Sequence, residues 1–310
     1  MNDRKDTLKN VAASVRDRLK TVMASTGQDY NTLLIRYTIE RFLFRLSESE
    51  YRNRFVLKGA LLFALWNETP HRVTRDLDLL GFGDSSVEEL EAVFAKICSC
   101  QVPDDGVIFD SASVKAEPIR AQELYVGVRL NIQGMIGSAR TLLQIDVGFG
   151  DATAVQPVEV EFPSLLEAMP AARIRAYRME SALAEKYEAA VTLGLLNSRM
   201  KDYYDFYFLG NHCAFDGQEL ADSIRATFER RGTVLPVETP AGFSAAFWND
   251  PGRQAVWKSF WRKSVKLDPV LSLEQVVSFA AGFLLPPALA AAEGVRFDST
   301  WKPGGSWQEK

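Results

Sequence analysis

Apolar residues recur at helical spacing from Asp6 to about Ala24 (Leu8, Val11, Val15, Leu19, Val22). They do so again from Tyr30 to about Ser47 (Leu33, Leu34, Tyr37, Ile39, Phe42, Leu43, Leu46), which predicts two opening helices. Between Arg54 and Ile145 the pattern changes to short apolar runs broken by turns. FVLKG reads as a strand, ALLFALWN as a helix and DLDLLGF as a second strand, and a helix is expected from Val87 to about Cys98. The alternating segments SVKAEPI, YVGVRLNIQGMI and TLLQIDVGF predict further strands, with hairpin breaks at QGMIGS and GFGD. After Pro170 the pattern is almost wholly helical, with helices expected over 178–196, 199–209, 218–230, 251–266 and 272–285. The expected fold class is α/β: a mixed-sheet core, a helical N-terminal preface and a helical C-terminal half. A boundary near residue 165 divides the chain into 1–165 and 166–310. The tail STWKPGGSWQEK reads as a frayed or docked end.

Composition narrows the chemistry. The chain has 310 residues, 47% hydrophobic and 25% charged, which excludes a disordered or disulfide-stapled protein. Three cysteines and two histidines give no four-ligand set with zinc-finger or ribbon spacing. They also leave few imidazoles to activate a serine or cysteine, so carboxylates, lysines and arginines carry whatever chemistry there is. The start is charged and polar, and no run reaches the roughly 18 apolar residues of a spanning helix. A cytoplasmic protein with no membrane partner is the expectation.

Net charge is −4, so a basic surface has to be local. From Pro251 to Leu267 there are five basic residues (Arg253, Lys258, Arg262, Lys263, Lys266) and no acid, interleaved with Trp257, Phe260 and Trp261. Two readings fit this strip. Either cations hold a phosphate backbone while an aromatic stacks on a base, or the tryptophans are core and the lysines simply face water.

The sharpest motif is Arg72-Val73-Thr74-Arg75-Asp76-Leu77-Asp78-Leu79. In a strand, residues two apart share a face, so Asp76 and Asp78 present two carboxylates together while Leu77 and Leu79 enter the core. Paired like charges are relieved by a hard divalent cation such as Mg²⁺ or, at a strand end, by water. Upstream, Leu57-Lys58-Gly59-Ala60 reads as a strand that stops at glycine and opens a helix, a turn whose N–H groups can approach a phosphate. Downstream, Asp146 is the one acid in the apolar strand Leu142–Val147. It needs a partner, which a shared metal or water at the strand end would supply.

The helix expected over 178–196 has a core stripe of Met179, Leu183, Tyr187, Val191 and Leu195, with Lys186 beside it between Ala182 and Ala190. Lys186 either snorkels or reaches a phosphate. On the next helix Arg199, Asp202 and Asp205 follow at i, i+3 and line one face. The aromatic run Tyr203, Tyr204, Phe206, Tyr207, Phe208 suggests burial there, and acids on a buried helix face a cavity or a cation.

In this order, the glycine turn, the helix, the D-x-D strand and the acid on a later strand resemble the nucleotidyltransferase superfold. The fuller set is similar to the AbiEii/AbiGii-type nucleotidyltransferase toxin family, whose pattern is K-G-G/A followed by R-x-[ST]-x-D-[IL]-D. Here Lys58-Gly59-Ala60 and Arg72, Thr74, Asp76, Leu77 and Asp78 match it. Ala184-Glu185-Lys186 and the run Arg199, Lys201, Asp202, Asp205 match the family's later A-x-K and R-x-K-D-x-x-D segments. The resemblance spans roughly residues 55 to 210. Ala60 departs from the second glycine or serine of many relatives, which removes a hydroxyl or extra flexibility from the turn.

The resemblance implies a nucleotidyltransferase-like core and a metal-dependent transfer from an NTP. Asp76, Asp78 and Asp146 would hold Mg²⁺ (or Mn²⁺), and Lys58, Gly59, Arg72 and Thr74 would bind the nucleotide. Lys186 would pair with the triphosphate, and Asp202 and Asp205 would orient it or receive the acceptor's proton. The implied acceptor is RNA, a tRNA 3′ end among the candidates. The implied role is the toxin of a pair, with a cognate antitoxin protein as partner. Two rivals remain from other classes: a non-catalytic nucleotide- or RNA-binding module, and a metal-dependent ribonuclease using Glu185 with Lys186.

Overall fold

Asn10 and Asp29 start the two opening helices, α1 (Val11–Thr26) and α2 (Tyr30–Glu48), each by accepting the backbone N–H three residues on at 2.9 Å. The computed structural model describes residues 10–66, 76–119, 127–150, 156–265 and 270–310. It separates into two units, Met1–Gly150 with Val158–Ala176, and Asp151–Pro157 with Tyr177–Lys310.

In the first unit a seven-stranded mixed sheet runs in the order β3-β4-β5-β2-β1-β7-β6. Its strands are β1 (Phe55–Lys58), β2 (Asp76–Gly81), β3 (Val107–Ile119), β4 (Gly127–Ile136), β5 (Ala139–Phe149), β6 (Val158–Phe162) and β7 (Ala172–Ala176). β2 lies between β1, antiparallel to it, and β5, parallel to it. Alternation then sorts the side chains. Leu77 and Leu79 of β2 and Leu143, Ile145 and Val147 of β5 are fully buried. Thr38 of α2 meets Thr141 on this same face of β5 at 3.1 Å, so α2 covers it. The other face of β5 carries Leu142, Gln144 and Asp146.

The short helix expected after β1 begins as a 3-10 turn, Gly59–Leu62, before α3 (Phe63–Trp66), and α4 (Val87–Cys98) matches its expected span. A buried fork fixes α2 against the start of β3. Arg45 donates to Asp105 at 2.7 and 3.1 Å and to the Val107 carbonyl at 3.0 Å. The segment ARIRA, which the sequence placed in the helical half, is β7, paired with both β1 and β6. The first unit therefore runs on to Ala176 rather than stopping near residue 165.

The second unit is helical, with α5 (Met179–Leu193), α6 (Met200–His212), α7 (Gly217–Arg231), α8 (Ala245–Trp248), α9 (Pro251–Phe260) and α10 (Leu273–Glu293). A π turn, Trp261–Val265, continues α9. α10 runs through Pro286 and Pro287, where the sequence predicted a stop. A proline lacks the N–H that would bond the carbonyl four residues back. For Pro287 that carbonyl belongs to Phe283, and the Trp307 indole N–H donates to it instead at 2.9 Å. The tail is thus docked: β9 (Ser299–Trp301) and β10 (Trp307–Glu309) join β8 (Phe215–Asp216) in a three-stranded sheet.

α10 also corrects the expectation about apolar runs, because by length and composition alone it could cross a membrane. Ten of its residues, Phe283 and Leu284 among them, are buried within the protein, the placement of a core helix. The tryptophans of the basic strip are core as well. Trp257 and Trp261 are 2% and 3% exposed, and the Trp257 indole donates to the Leu271 carbonyl at 2.7 Å, so neither can stack on a base. Lys258, Arg262 and Lys263 are exposed, and Lys266 lies outside the described residues.

Glu40 of α2 is 1% exposed, accepts the Leu165 N–H at 2.9 Å and lies 3.5 Å from Arg36. Burial outweighs these contacts and pushes its carboxyl up from 4.5 to about 7. Over that interval the folded chain keeps a proton that the unfolded chain has lost. This contribution to stability is present below pH 4.5 and is lost as pH rises through 7. Glu40→Gln is expected to flatten the decline in urea midpoint across the window, removing a slope worth on the order of 3 kcal/mol. Parallel pH profiles of variant and parent check it.

Candidate active site

The strand register assembles a polar row across four strands. Lys58 of β1 pairs with Asp78 of β2, Asp78 with Asp146 of β5, and Asp146 with Arg129 of β4. Cross-strand partners share a face, so these four side chains project from one side of the sheet, with Asp76 two residues from Asp78 on that side. Asp76 is exposed and Asp78 half-buried.

Gly59 closes this row at the β1 end. Its φ is +72°, a left-handed conformation that disfavours any residue with a Cβ. A Cβ there would lie 2.6 Å from Asp78 Cγ and closer still to one carboxylate oxygen. The glycine therefore lets the chain turn directly against the Asp78 carboxylate. Ala60 follows inside the 3-10 turn. Arg72 and Thr74 lie outside the described residues.

Asp146 has the partner that the sequence required, and it is Arg129. The guanidinium donates from Nε to Oδ1 at 2.8 Å and from Nη2 to Oδ2 at 2.7 Å. These bonds, helped by the negative charges of Asp76 and Glu117, hold Arg129 above the usual arginine range. Among the described residues no three His, Cys, Asp or Glu side chains gather closely enough to hold a metal ion. Asp76 and Asp78 supply hard oxygen donors on one face of one strand, a set that suits Mg²⁺, which takes one or two carboxylates and fills its remaining positions with water and substrate phosphates. Arg129 was missed in the sequence, where it is one polar residue in an alternating strand. Only the register between β4 and β5 brings it to Asp146.

The second unit brings together Lys186, Asp202 and Asp205. α5 carries Lys186, and α6 carries the two acids one turn apart. The ammonium lies 2.6 Å from Asp202 Oδ1 and 2.9 Å from Asp205 Oδ2. Lys186 is 15% exposed and Asp205 not at all, so the cation that the buried acids demanded is this lysine. α5 ends at Leu193, where Gly194 takes a left-handed φ of +49°, and Leu195 consequently falls off the expected core stripe and is exposed. Glu185, a candidate in the nuclease reading, lies 3.7 Å from Arg231. Arg199 is exposed at the start of α6.

A family model described as the nucleotidyl transferase AbiEii toxin of a type IV toxin-antitoxin system matches residues 41–279, most of the chain. No curated protein matches the sequence. Among solved structures, the nucleotidyltransferase toxin MenT4 from Mycobacterium tuberculosis H37Rv is similar at 16% identity with a TM-score of 0.50, over 91% of this chain and 99% of that one. JHP933 from Helicobacter pylori is similar at 16% identity with a TM-score of 0.42, over 82% of this chain and 90% of that one. At such identities the MenT4 likeness speaks to the fold alone.

Removing the ammonium would leave two buried carboxylates facing each other. Lys186→Met is expected to destabilise the protein by about 3–5 kcal/mol, because it removes the cation that both buried carboxylates contact. Urea unfolding of variant and parent checks this, and an unchanged midpoint would contradict it.

Proposed function

Because the chain belongs to the AbiEii nucleotidyltransferase toxin family and is a nucleotidyltransferase, we propose that it moves a nucleotide from an NTP onto an RNA acceptor, a tRNA 3′ end, in a metal-dependent reaction. As the toxin of a pair, it would be neutralised by a cognate antitoxin protein. The observation that carries the reading is the pair Asp76 and Asp78 on one strand face, with the Gly59 turn pressed against Asp78.

In this reading Asp76 and Asp78 hold the divalent ion, which supplies charge neutralisation at the triphosphate. The Lys58-Gly59 turn offers backbone N–H groups to phosphate, and Gly59 permits the close approach. Lys186 binds phosphate and offsets charge that develops in the transition state. Asp202 and Asp205 are positioning residues, because both are engaged by the ammonium and Asp205 is fully buried. That burial favours holding Lys186 over receiving a proton from a bulky acceptor. The acceptor hydroxyl gives up its proton to solvent water as its oxygen attacks the α-phosphorus in line, the bond from that phosphorus to the oxygen bridging to the β-phosphate breaks, and pyrophosphate leaves.

The exposed cations Lys258, Arg262 and Lys263 support contact with an RNA backbone. With the neighbouring tryptophans buried, that contact is electrostatic and indifferent to sequence. Replacing all three by alanine is expected to reduce the slope of log K against log salt for tRNA binding by roughly 2, at about 0.7 per phosphate contact. An unchanged slope would remove this surface from the reading.

The transfer itself is tested with each labelled NTP, Mg²⁺ and total RNA. The full chain should leave covalent label on RNA and lengthen it, and a folded Asp76→Ala variant should lose at least about a hundredfold in rate. Bound nucleotide without covalent label would favour a pure binding module, and shortened RNA would favour a nuclease. Full transfer by folded Asp76→Ala would refute the proposed mechanism.

A further inference from the structure

We infer that Asp146 acts as the positioning residue for Arg129, and that Arg129, instead of a third metal-bound carboxylate, contacts the phosphates of the nucleotide. The inference rests on the nucleotidyl-transfer reading and assigns a residue that the sequence motifs do not contain.

Three observations carry it. First, both carboxylate oxygens of Asp146 are taken by one guanidinium in a two-bond fork at 2.8 and 2.7 Å, a geometry that fixes the planes of both groups. For Asp146 to turn onto a metal, that fork would have to open. Second, the fork uses Nε and Nη2 and leaves the remaining N–H groups of Arg129 directed away from Asp146. The Arg129 side chain is 38% exposed and that of Asp146 22%, so the arginine is the more accessible member of the pair. Third, Asp146 stands in register between Arg129 and Asp78, which places the guanidinium on the same sheet face as Asp76 and Asp78.

Charge supports the same assignment. A metal held by Asp76 and Asp78 leaves a triphosphate with excess negative charge, which a planar guanidinium can meet with two parallel hydrogen bonds. Asp146 and Arg129 form a neutral pair in the free protein. A third acid on the metal would instead free an arginine next to it, at the cost of two charge-assisted hydrogen bonds. Glu117, the cross-strand partner of Arg129 on β3, adds negative charge from the other side and helps keep the arginine cationic.

The test uses the full chain and two binding measurements: Mn²⁺ affinity by electron paramagnetic resonance, and affinity for each of the four NTPs in EDTA. Asp146→Asn is expected to leave Mn²⁺ affinity within about twofold, whereas Asp76→Asn weakens it at least about tenfold. Arg129→Ala should weaken metal-free NTP binding by about tenfold or more, and Arg129→Lys should fall between it and the parent. Adding Asp146→Asn to Arg129→Ala should cost nothing further, since the acid acts through the arginine. Loss of Mn²⁺ binding in Asp146→Asn comparable to that in Asp76→Asn would overturn the inference. So would unchanged NTP binding in Arg129→Ala or, should that variant fold poorly, in Arg129→Lys. Intact Mn²⁺ binding in Asp76→Asn would instead count against the metal site of the proposed function, while the metal-free arm would still decide the role of Arg129.

Discussion

The fork of Arg129 on Asp146 governs the charge of the sheet face that carries Asp76 and Asp78. Three acids lie on adjacent strands there, and like charges so close repel unless a cation intervenes. One of the three, Asp146, is neutralised internally by a neighbour on β4, whereas Asp76 at the start of β2 is exposed to water and Asp78 is half-buried. The distribution is asymmetric: Asp146 is held in a two-bond fork, Lys58 stands across from Asp78 in the strand register, and Asp76 is the acid most open to solvent. The glycine at the end of β1 belongs to the same constraint, because a side chain there would displace the Asp78 carboxylate.

The second unit meets the same requirement differently. Asp202 and Asp205 are nearly or wholly buried, so their cation has to come from within the fold, and Lys186 spans from α5 to reach both. Here the ion pairs join two helices and fix their register as well as their charge. Acids at the end of an interior strand and buried acids on a helix thus lead to different solutions. The first leaves carboxylate oxygen within reach of solvent at Asp76, and the second keeps one primary amine fixed in orientation.

Much of this could be read along the chain, because helical and alternating periodicities are local. α2, α4, β1 and β2 form close to where their hydrophobic spacing places them, and the burial of Asp202 and Asp205 beside a cation followed from the aromatic run around them. What escaped depended on partners distant in sequence. The segment ARIRA has no strand signal strong enough to stand out from a helical background, and it becomes a strand by pairing with β1 and β6. Arg129 has meaning only through register with β5. For Trp257 and Trp261 the sequence leaves two readings open, a stacking surface and a core-facing helix, because an interleaved basic and aromatic pattern fits both, and their burial decides for the core. Pro286 and Pro287 suggested a helix end because the donor that relieves one of the broken bonds comes from Trp307.

That last contact has a practical side. An interior carbonyl of the most apolar helix in the second unit depends on an indole near residue 310, and the Trp301 indole caps the Gly210 carbonyl at 2.6 Å in the same way. The final dozen residues therefore work as a plug for backbone groups that helices α6 and α10 do not satisfy themselves. Clipping by a protease within the Lys302–Ser306 turn would uncork the Phe283 carbonyl while leaving every family motif intact. A preparation lacking those residues would look complete by its motifs and still be compromised, so intact mass is the quality check for this protein that matters most.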